Sequence, residues 1–394
     1  METQVQDRVI RRIGFTASQW QMIIAMSAAI GLRMLGLFLV LPVFTLYGQQ
    51  FTDSNFLIGL AFGGYGLTMA IVQYPFGRLS DRYGRKRILI IGMLLFSAGA
   101  ILAAMPPSIE WLIAARFLQG LGGITSVSFA LIADVVQEER RSMAMAFLGI
   151  PIGLSFAIGV LLGPIFASLW GYASLFWITG VAGLLSTLHI ILVVREPERH
   201  IRSAAAPWTP NGEILKLNAC GFLMNFFMTS FFFYFPLMVG RYLSLREYYM
   251  ALGPMVIMAG VSMFAASRIA DRGASKAVSF ASFSILLFSA LVLFQHDQGV
   301  LSSHPLAWMI VGGILFFMGF SGLEPVLPAL VSRLARRETY GASLGSFNTI
   351  QFLGNFAGGA IAGYLGHFSR GYAMGVLVLA AALGMLMISR LQAQ

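Results

Sequence analysis

The chain has 394 residues, of which 58% are hydrophobic and 11% charged, with a formal net charge of +10. Soluble domains carry roughly 25% charged residues, so this chain has too little polar surface to coat a globule of its size. Mean hydropathy is +0.79, and the single cysteine, Cys220, excludes a disulfide framework or a cysteine-based metal site. The polar start "METQVQDRVIRRIG" leads into a full-length apolar run rather than a short signal-type one, so no cleavable signal is expected.

A bilayer core takes about 20 apolar residues per helix. In chain order the apolar runs predict twelve helices, at 20–47, 56–76, 88–105, 111–134, 143–168, 173–194, 217–239, 249–267, 277–294, 306–331, 342–366 and 372–389. Only 195–216, "REPERHIRSAAAPWTPNGEILK", is long enough for a linker, which gives an N-terminal bundle over 1–194 and a C-terminal bundle over 217–394. The expected fold is an all-α membrane protein of two six-helix bundles related by a pseudo-twofold axis along the membrane normal. Of the 26 Lys and Arg residues, the loops on one side hold only Arg241, Arg246 and Arg370, and nearly all the others fall on the opposite side with the termini and the linker. The positive-inside bias makes that side cytoplasmic and accounts for the net charge without a nucleic-acid partner.

Between the second and third helices lies "GRLSDRYGRKRIL" (77–89); "SRIADRGASKAV" (267–278) stands at the equivalent place in the second half, with Asp81-Arg82 matched by Asp271-Arg272. Such internal duplication is a signature of secondary transporters. Glycine pairs recur likewise: Gly149/Gly153 and Gly159/Gly163 in helix five, Gly354/Gly358 and Gly359/Gly363 in helix eleven. Small residues four apart let helix backbones approach closely in lipid. In the 77–89 stretch, Gly77 and Gly84 are expected to make a sharp turn. Its basic residues anchor that turn at an anionic leaflet by about 1 kcal/mol each, which leaves Asp81 unexplained.

Of the 16 acidic residues, only Glu324 falls deep inside an expected helix, about 13 Å along it from Arg333. Arg33 and Arg116 are the two intramembrane bases. An ionisable group at such depth must be paired, hydrated or neutral, and is a functional candidate by default. Three readings stand: Glu324 couples transport to protons, with Arg116 and Arg33 as further candidates; Glu324 and Arg33 form a fixed pair across the two halves; or Glu324 lies on the lipid side or at a different depth. His189 is expected to make a helix–helix hydrogen bond. Helices one and seven are rich in aromatic and methionine side chains, and Met34, Phe38, Asn225, Phe226 and Tyr234, with Gln351, are candidates for an adaptable apolar cavity.

Four stretches carry a resemblance to the major facilitator superfamily. "GRLSDRYGRKRIL" resembles its motif between helices two and three at Gly77, Leu79, Asp81, Arg82, Gly84, Arg85 and Lys86. "LIAARFLQGLGGI" (112–124) resembles the helix-four motif, with Arg116, Gln119, Gly120 and Gly122. "GVLLGP" resembles the helix-five motif of the drug–proton antiporter branch through Gly159, Gly163 and Pro164, although Ala167-Ser168 replace the closing glycine pair. "LGLFLVLPV" (35–43) resembles the helix-one motif of twelve-span drug exporters, with Thr45 where a proline is usual. "LRMLGLFLVLPV", "GLEPVLPALVS" and "IQFLGNFAGGAIAG" further resemble the YajR-like group, without that group's extra C-terminal domain.

The resemblance implies a cytoplasmic latch of Gly77, Asp81, Arg82, Gly84, Arg85, Lys86 and Asp134. In it, Arg85 pairs with Asp134 and Asp81 meets the amide end of helix eleven around Ala342–Leu344. It also links Arg116 to proton transfer. The expected function is proton-coupled efflux of lipophilic small molecules from an inner membrane, by a monomer that uses no cofactor or metal. The partners are the cargo, the proton and membrane lipid. The rivals are a facilitator or proton symporter of a lipid or metabolite on the same fold, and a sensor that does not transport. A membrane enzyme lacks any visible catalytic constellation.

Overall fold

A computed structural model describes residues 14–137, 140–196, 211–301, 303–335 and 339–392. Most of the expected linker, the arginines near the N-terminus and Arg336 and Arg337 lie outside the described residues. We number the spans in chain order. They are α1 (Ala17–Val40, continued by Phe44–Gly48), α2 (Asn55–Tyr83), α3 (Arg85–Ala104), α4 (Ile109–Gly120 and Thr125–Val135), α5 (Arg141–Trp170) and α6 (Tyr172–Val193). The second set is α7 (Gly212–Val239), α8 (Tyr248–Ile269), α9 (Ser275–Asp297), α10 (Pro305–Leu334), α11 (Tyr340–Phe368) and α12 (Arg370–Ser389).

Among the described residues ten stretches are long and apolar enough to cross a membrane, and one of them, Leu245–Asp297, contains both α8 and α9. The glycine-rich α11 is of spanning length but stands outside the ten. Four of its glycines, Gly354, Gly358, Gly359 and Gly363, face the backbones of α7 and α2, where close approach matters more than apolarity.

Polar caps set several helix starts. The Thr16 hydroxyl accepts from the backbone N–H of Gln19, whose side chain reaches back to the Thr16 N–H. At the starts of α2, α4 and α7 the side chains of Ser54, Ser108 and Asn211 each accept one backbone N–H, without the return bond.

The turns between α2 and α3 and between α8 and α9 each depend on one glycine with positive φ, Gly84 at 101° and Gly273 at 93°. The charged stretch 77–89 is therefore less of a loop than expected. Gly77 and Asp81 lie within α2, which runs as helix to Tyr83, and Gly84 alone makes the turn. A polar segment beyond the apolar core can still satisfy its backbone as helix, so charge did not mark the helix end.

The two halves pack alike: α1 on α5 and α6, α3 on α4 and α6; then α7 on α11 and α12, α9 on α10 and α12. The contact between halves is dominated by α2 against α11, with α5 meeting α8. We call the end at Gly84, Gly273 and Leu391 the basic face and its opposite the far face.

At the far face the halves are joined. A methyl group on Gly359 would lie 2.7 Å from the carbonyl oxygen of Gly59 and 2.8 Å from the nitrogen of Gly63, and Asn55 donates to the Gly366 carbonyl at 3.4 Å. One apolar cluster there runs continuously from Leu39, Phe44 and Phe62 into Phe231–Phe235. At the basic face the core of the first bundle (Met26, Ile30, Met69, Leu131) is a separate cluster. Gly77 of α2, Gly149 and Gly153 of α5, and Gly341 and Gly345 of α11 have nothing within 4 Å of a would-be Cβ. The molecule is closed at the far face and parted at the basic face.

The glycine pairs divide accordingly. Gly159 and Gly163 sit on the α1 backbone at Phe38 and Leu39, and Gly354 and Gly358 sit on α7 at Phe222 and Phe226. Gly359 and Gly363 meet α2, whereas Gly149 and Gly153 touch nothing. The close-packing expected of that last pair is absent because it faces the parted side.

Candidate transport site

Where the cleft ends, aromatic rings from both bundles meet. Phe156 of α5 lies 5.1 Å from Phe38, 6.4 Å from Phe232, 5.8 Å from Phe317 and 6.3 Å from Phe320, between ring centroids. Phe231 stacks on Phe316 behind them at 4.0 Å. Edge-to-face and offset pairs of this kind contribute about 0.5–1.5 kcal/mol each beyond simple burial.

Phe317, Phe320 and Glu324 follow at helical spacing on one side of α10. The two phenylalanines are buried against Phe156 while Glu324 is exposed. Glu324 thus points into the cleft, one turn from the plug towards the basic face. It has no ion pair with Arg33, so the fixed pair across the halves is not formed. Arg33 is instead enclosed in the first bundle.

Arg33 is fully buried. Its Nη2 donates to the Tyr65 hydroxyl at 2.5 Å and to Met69 Sδ at 3.2 Å, and its Nη1 to Thr125 Oγ1 at 3.4 Å. Arg116, also buried, donates to Gln119 Oε1 at 2.5 Å and lies over the rings of Phe44 and Tyr65, each 5.1 Å away. Tyr65 therefore holds one guanidinium by its hydroxyl and the other by its ring face. Cation–π contacts contribute about 0.5–2 kcal/mol, most where water is excluded. No carboxylate pairs with either arginine among the described residues, and the Nε of each is buried without a partner.

The motif around the Gly84 turn forms a network. Arg85 Nε bonds Asp134 at 2.9 Å, its Nη2 pairs with Asp81 at 2.5 Å, and its Nη1 donates to Ser80 Oγ at 2.5 Å. Beyond it, Glu196 at the end of α6 accepts the backbone N–H groups of Arg85 at 2.6 Å and of Lys86 at 2.9 Å. A carboxylate bridging the first two amides of α3 satisfies orphan donors and complements the helix dipole. The Lys86 ammonium donates to the Ile191 carbonyl at 2.7 Å, and Arg82 lies over the neighbouring Tyr83 ring.

The expected Arg85–Asp134 pair is therefore present. Asp81 does not reach α11: its side chain is 60% exposed and faces Arg85, and the Ala342–Leu344 stretch lies between the unapproached Gly341 and Gly345. The parting of the bundles at this face accounts for the difference.

Among the cavity candidates, Phe38 belongs to the plug. Met34, Asn225, Phe226 and Tyr234 are buried in helix packing. Asn225 bonds its own helix at Gly221, and the Tyr234 hydroxyl donates to the Ala362 carbonyl of α11. Gln351 is half-buried beside Gly221. The buried Nε2 of His189 has no hydrogen-bond partner.

Sequence reasoning missed Tyr65, Phe156, Phe317 and Glu196. Gln119 could have been assigned to Arg116 from its i+3 spacing. Tyr65 is 32 residues from Arg33 and gives no such signal.

The sequence pattern of the Major Facilitator Superfamily matches residues 26–359. The chain is 33% identical over 346 residues to the inner membrane transport protein YajR of Escherichia coli K12, covering 85% of this chain and 75% of that protein. It is 25% identical over 357 residues to multidrug resistance protein 1 of Bacillus subtilis, covering 84% and 86%. Among solved structures, a D-xylose–proton symporter superposes with a TM-score of 0.76 at 15% identity, over 94% of this chain and 97% of that one.

Proposed function

Because this chain belongs to the Major Facilitator Superfamily, we propose that it is a secondary transporter exporting lipophilic small molecules in exchange for protons. It works as a monomer in a bacterial-type inner membrane, with the basic face and both termini cytoplasmic. The moving parts are the bundles expected at 1–194 and 217–394; the second begins five residues earlier than expected, since α7 starts at Gly212 inside the expected linker 195–216. The observation that carries the reading is Glu324: a lone carboxyl group exposed in the cleft, one turn from a plug of aromatic rings.

A lipophilic molecule can rest on that plug. When the basic face closes, an unpaired carboxylate at this depth would cost several kcal/mol. It must first be neutralised by a proton or by a cationic cargo, and that alternative makes the two exchange. Arg33 and Arg116 keep fixed positive charge in the first bundle and disfavour a bare cation there. Arg85, Asp134, Gly84 and Glu196 hold the turn ready, with Gly77, Arg82 and Lys86 flanking it. On closure Asp81 meets the amide end of α11, worth about 0.3–1 kcal/mol and up to about 2 when partly buried. Gly159, Gly163 and Pro164 hold α5 against α1 so that Phe156 keeps its place. The name of the Bacillus subtilis relative, a multidrug resistance protein, supports a drug-like cargo, and that of the Escherichia coli relative supports transport at an inner membrane.

The test is proton movement into proteoliposomes, followed with a pH dye as lipophilic amines are added, for wild type and Glu324→Gln. Compound-dependent flux that disappears in the variant is expected. Flux surviving in the variant would move the proton site to the Arg116–Tyr65 region, and no flux with any compound would remove the export reading.

A further inference from the structure

We propose that a groove between α7, α11 and α12 binds an anionic phospholipid of the leaflet at the basic face. The groove encloses about 530 Å³, with Leu215, Phe222, Leu223, Ile350, Leu383 and Met387 forming most of its wall. Its two polar lining residues, Asn218 and Ser346, bond each other at 2.8 Å, so the wall offered to a guest is hydrocarbon. Leu215 and Leu383, at its edges, are 51% and 47% exposed on helices otherwise suited to lipid. From Leu215 to Leu223 the groove follows α7 for about 12 Å, most of the hydrocarbon depth of one leaflet.

At the basic-face end the groove meets a cationic rim. Lys216, next to Leu215, donates to the Arg390 carbonyl and to Glu213, both at 2.8 Å. Lys276, at the start of α9, donates to the Leu391 carbonyl at 2.5 Å. These bonds gather the Lys216 and Lys276 ammonium groups around the end of α12, with Glu213 as the one acid in contact among the described residues. Each ammonium has a donor left over. A free phosphate would match the rim but not the groove, and a zwitterionic lipid the groove but not the rim's net charge. A phospholipid with a net negative headgroup matches both, with one acyl chain between α7 and α12 and its phosphate beside the two ammonium groups.

The experiment is native mass spectrometry of delipidated protein titrated with dioleoylphosphatidylglycerol or dioleoylphosphatidylcholine. The proteins are wild type, Lys216→Gln/Lys276→Gln and Leu383→Trp, each first checked for an unchanged melting temperature without added lipid. Wild type is expected to retain phosphatidylglycerol at least about tenfold more tightly than phosphatidylcholine. The double variant should lose about fivefold per lysine for the anionic lipid alone. Leu383→Trp fills the groove from an exposed position and should weaken both lipids.

Equal retention of the two lipids by wild type would overturn the proposal, leaving an acyl slot that does not read headgroups. Phosphatidylglycerol binding indifferent to Leu383→Trp would overturn it by placing the lipid elsewhere on the basic face. Displacement by inorganic phosphate would reduce the site to an anion-binding rim. Displacement by the lipophilic dye rhodamine 6G would make the groove a cargo entrance.

Discussion

Replacing Gly359 by alanine sets two effects against each other. In an exposed helix interior the change stabilises by about 1 kcal/mol, because glycine is the poorer helix former. Here the added methyl would stand 2.7 Å from the Gly59 carbonyl oxygen, 2.8 Å from the Gly63 nitrogen and 3.0 Å from the Gly63 Cα. All three are backbone atoms, so no rotamer can relieve the overlap, and α2 and α11 must separate by at least about half an ångström along the far-face seam. Overpacking of this kind costs about 1–3 kcal/mol. The cost falls on the conformation closed at the far face, and about 1.4 kcal/mol changes a two-state ratio tenfold. We therefore expect Gly359→Ala to shift the population towards opening at the far face and closure at the basic face, by about tenfold. In a Cys220→Ser background, spin labels at Asp53 and His367 on the far face and at Arg82 and Gly341 on the basic face would report both movements by pulsed electron resonance. A folded Gly359→Ala protein whose two distance distributions match those of the parent would refute the reasoning.

Three further outcomes follow from the geometry. Arg85→Gln removes a buried guanidinium from Asp81, Asp134 and Ser80 and should destabilise by about 3 kcal/mol; an unaltered melting temperature would show that the network carries no stability. Glu196→Ala leaves the Arg85 and Lys86 amides without their acceptor. It should cost about 1–2 kcal/mol, seen as roughly tenfold faster hydrogen exchange at those two amides and little change elsewhere. Tyr65→Phe keeps the ring beneath Arg116 but withdraws the hydroxyl that accepts from Arg33. A loss of about 1–3 kcal/mol is expected in thermal unfolding, and no loss would mean that Thr125 and Met69 suffice.

The spans were legible because lipid demands long apolar runs, and the chain has little else. What escaped was the behaviour of polar residues near the ends. α2 runs seven residues past its expected limit at residue 76, to Tyr83, since nothing in "GRLSDRY" forbids helix once outside the core. The break in α4 between Gly120 and Thr125 was written in "LGGI", but glycine in a membrane helix serves close packing as often as interruption. Arg33 and Glu324 were both recognisable as costly residues from type and depth. Their surroundings were not, because Tyr65 and the aromatic plug come from helices far off in sequence. Asp81 illustrates a different limit. Its expected partner on α11 depends on how the bundles are set, and one sequence serves every arrangement of them.

The aromatic plug also has an electrical consequence. A cleft that admits water and ions conducts, whereas a layer of packed rings insulates. In this conformation most of the transmembrane voltage therefore falls across Phe38, Phe156, Phe232, Phe317 and Phe320 and the glycine seam beyond them, over far less than the bilayer's full thickness. Glu324 stands on the conducting side of that insulator. On the proposed reading, a proton reaching it from the basic face would cross little of the field and bind almost independently of voltage. On that reading the field would act instead when the bundles rock and a charged carboxylate is transferred to the other side of the seal, at about 2.3 kcal/mol per elementary charge per 100 mV, whereas a neutralised one would cross without that cost. Voltage dependence should accordingly reside in the conformational step rather than in proton binding.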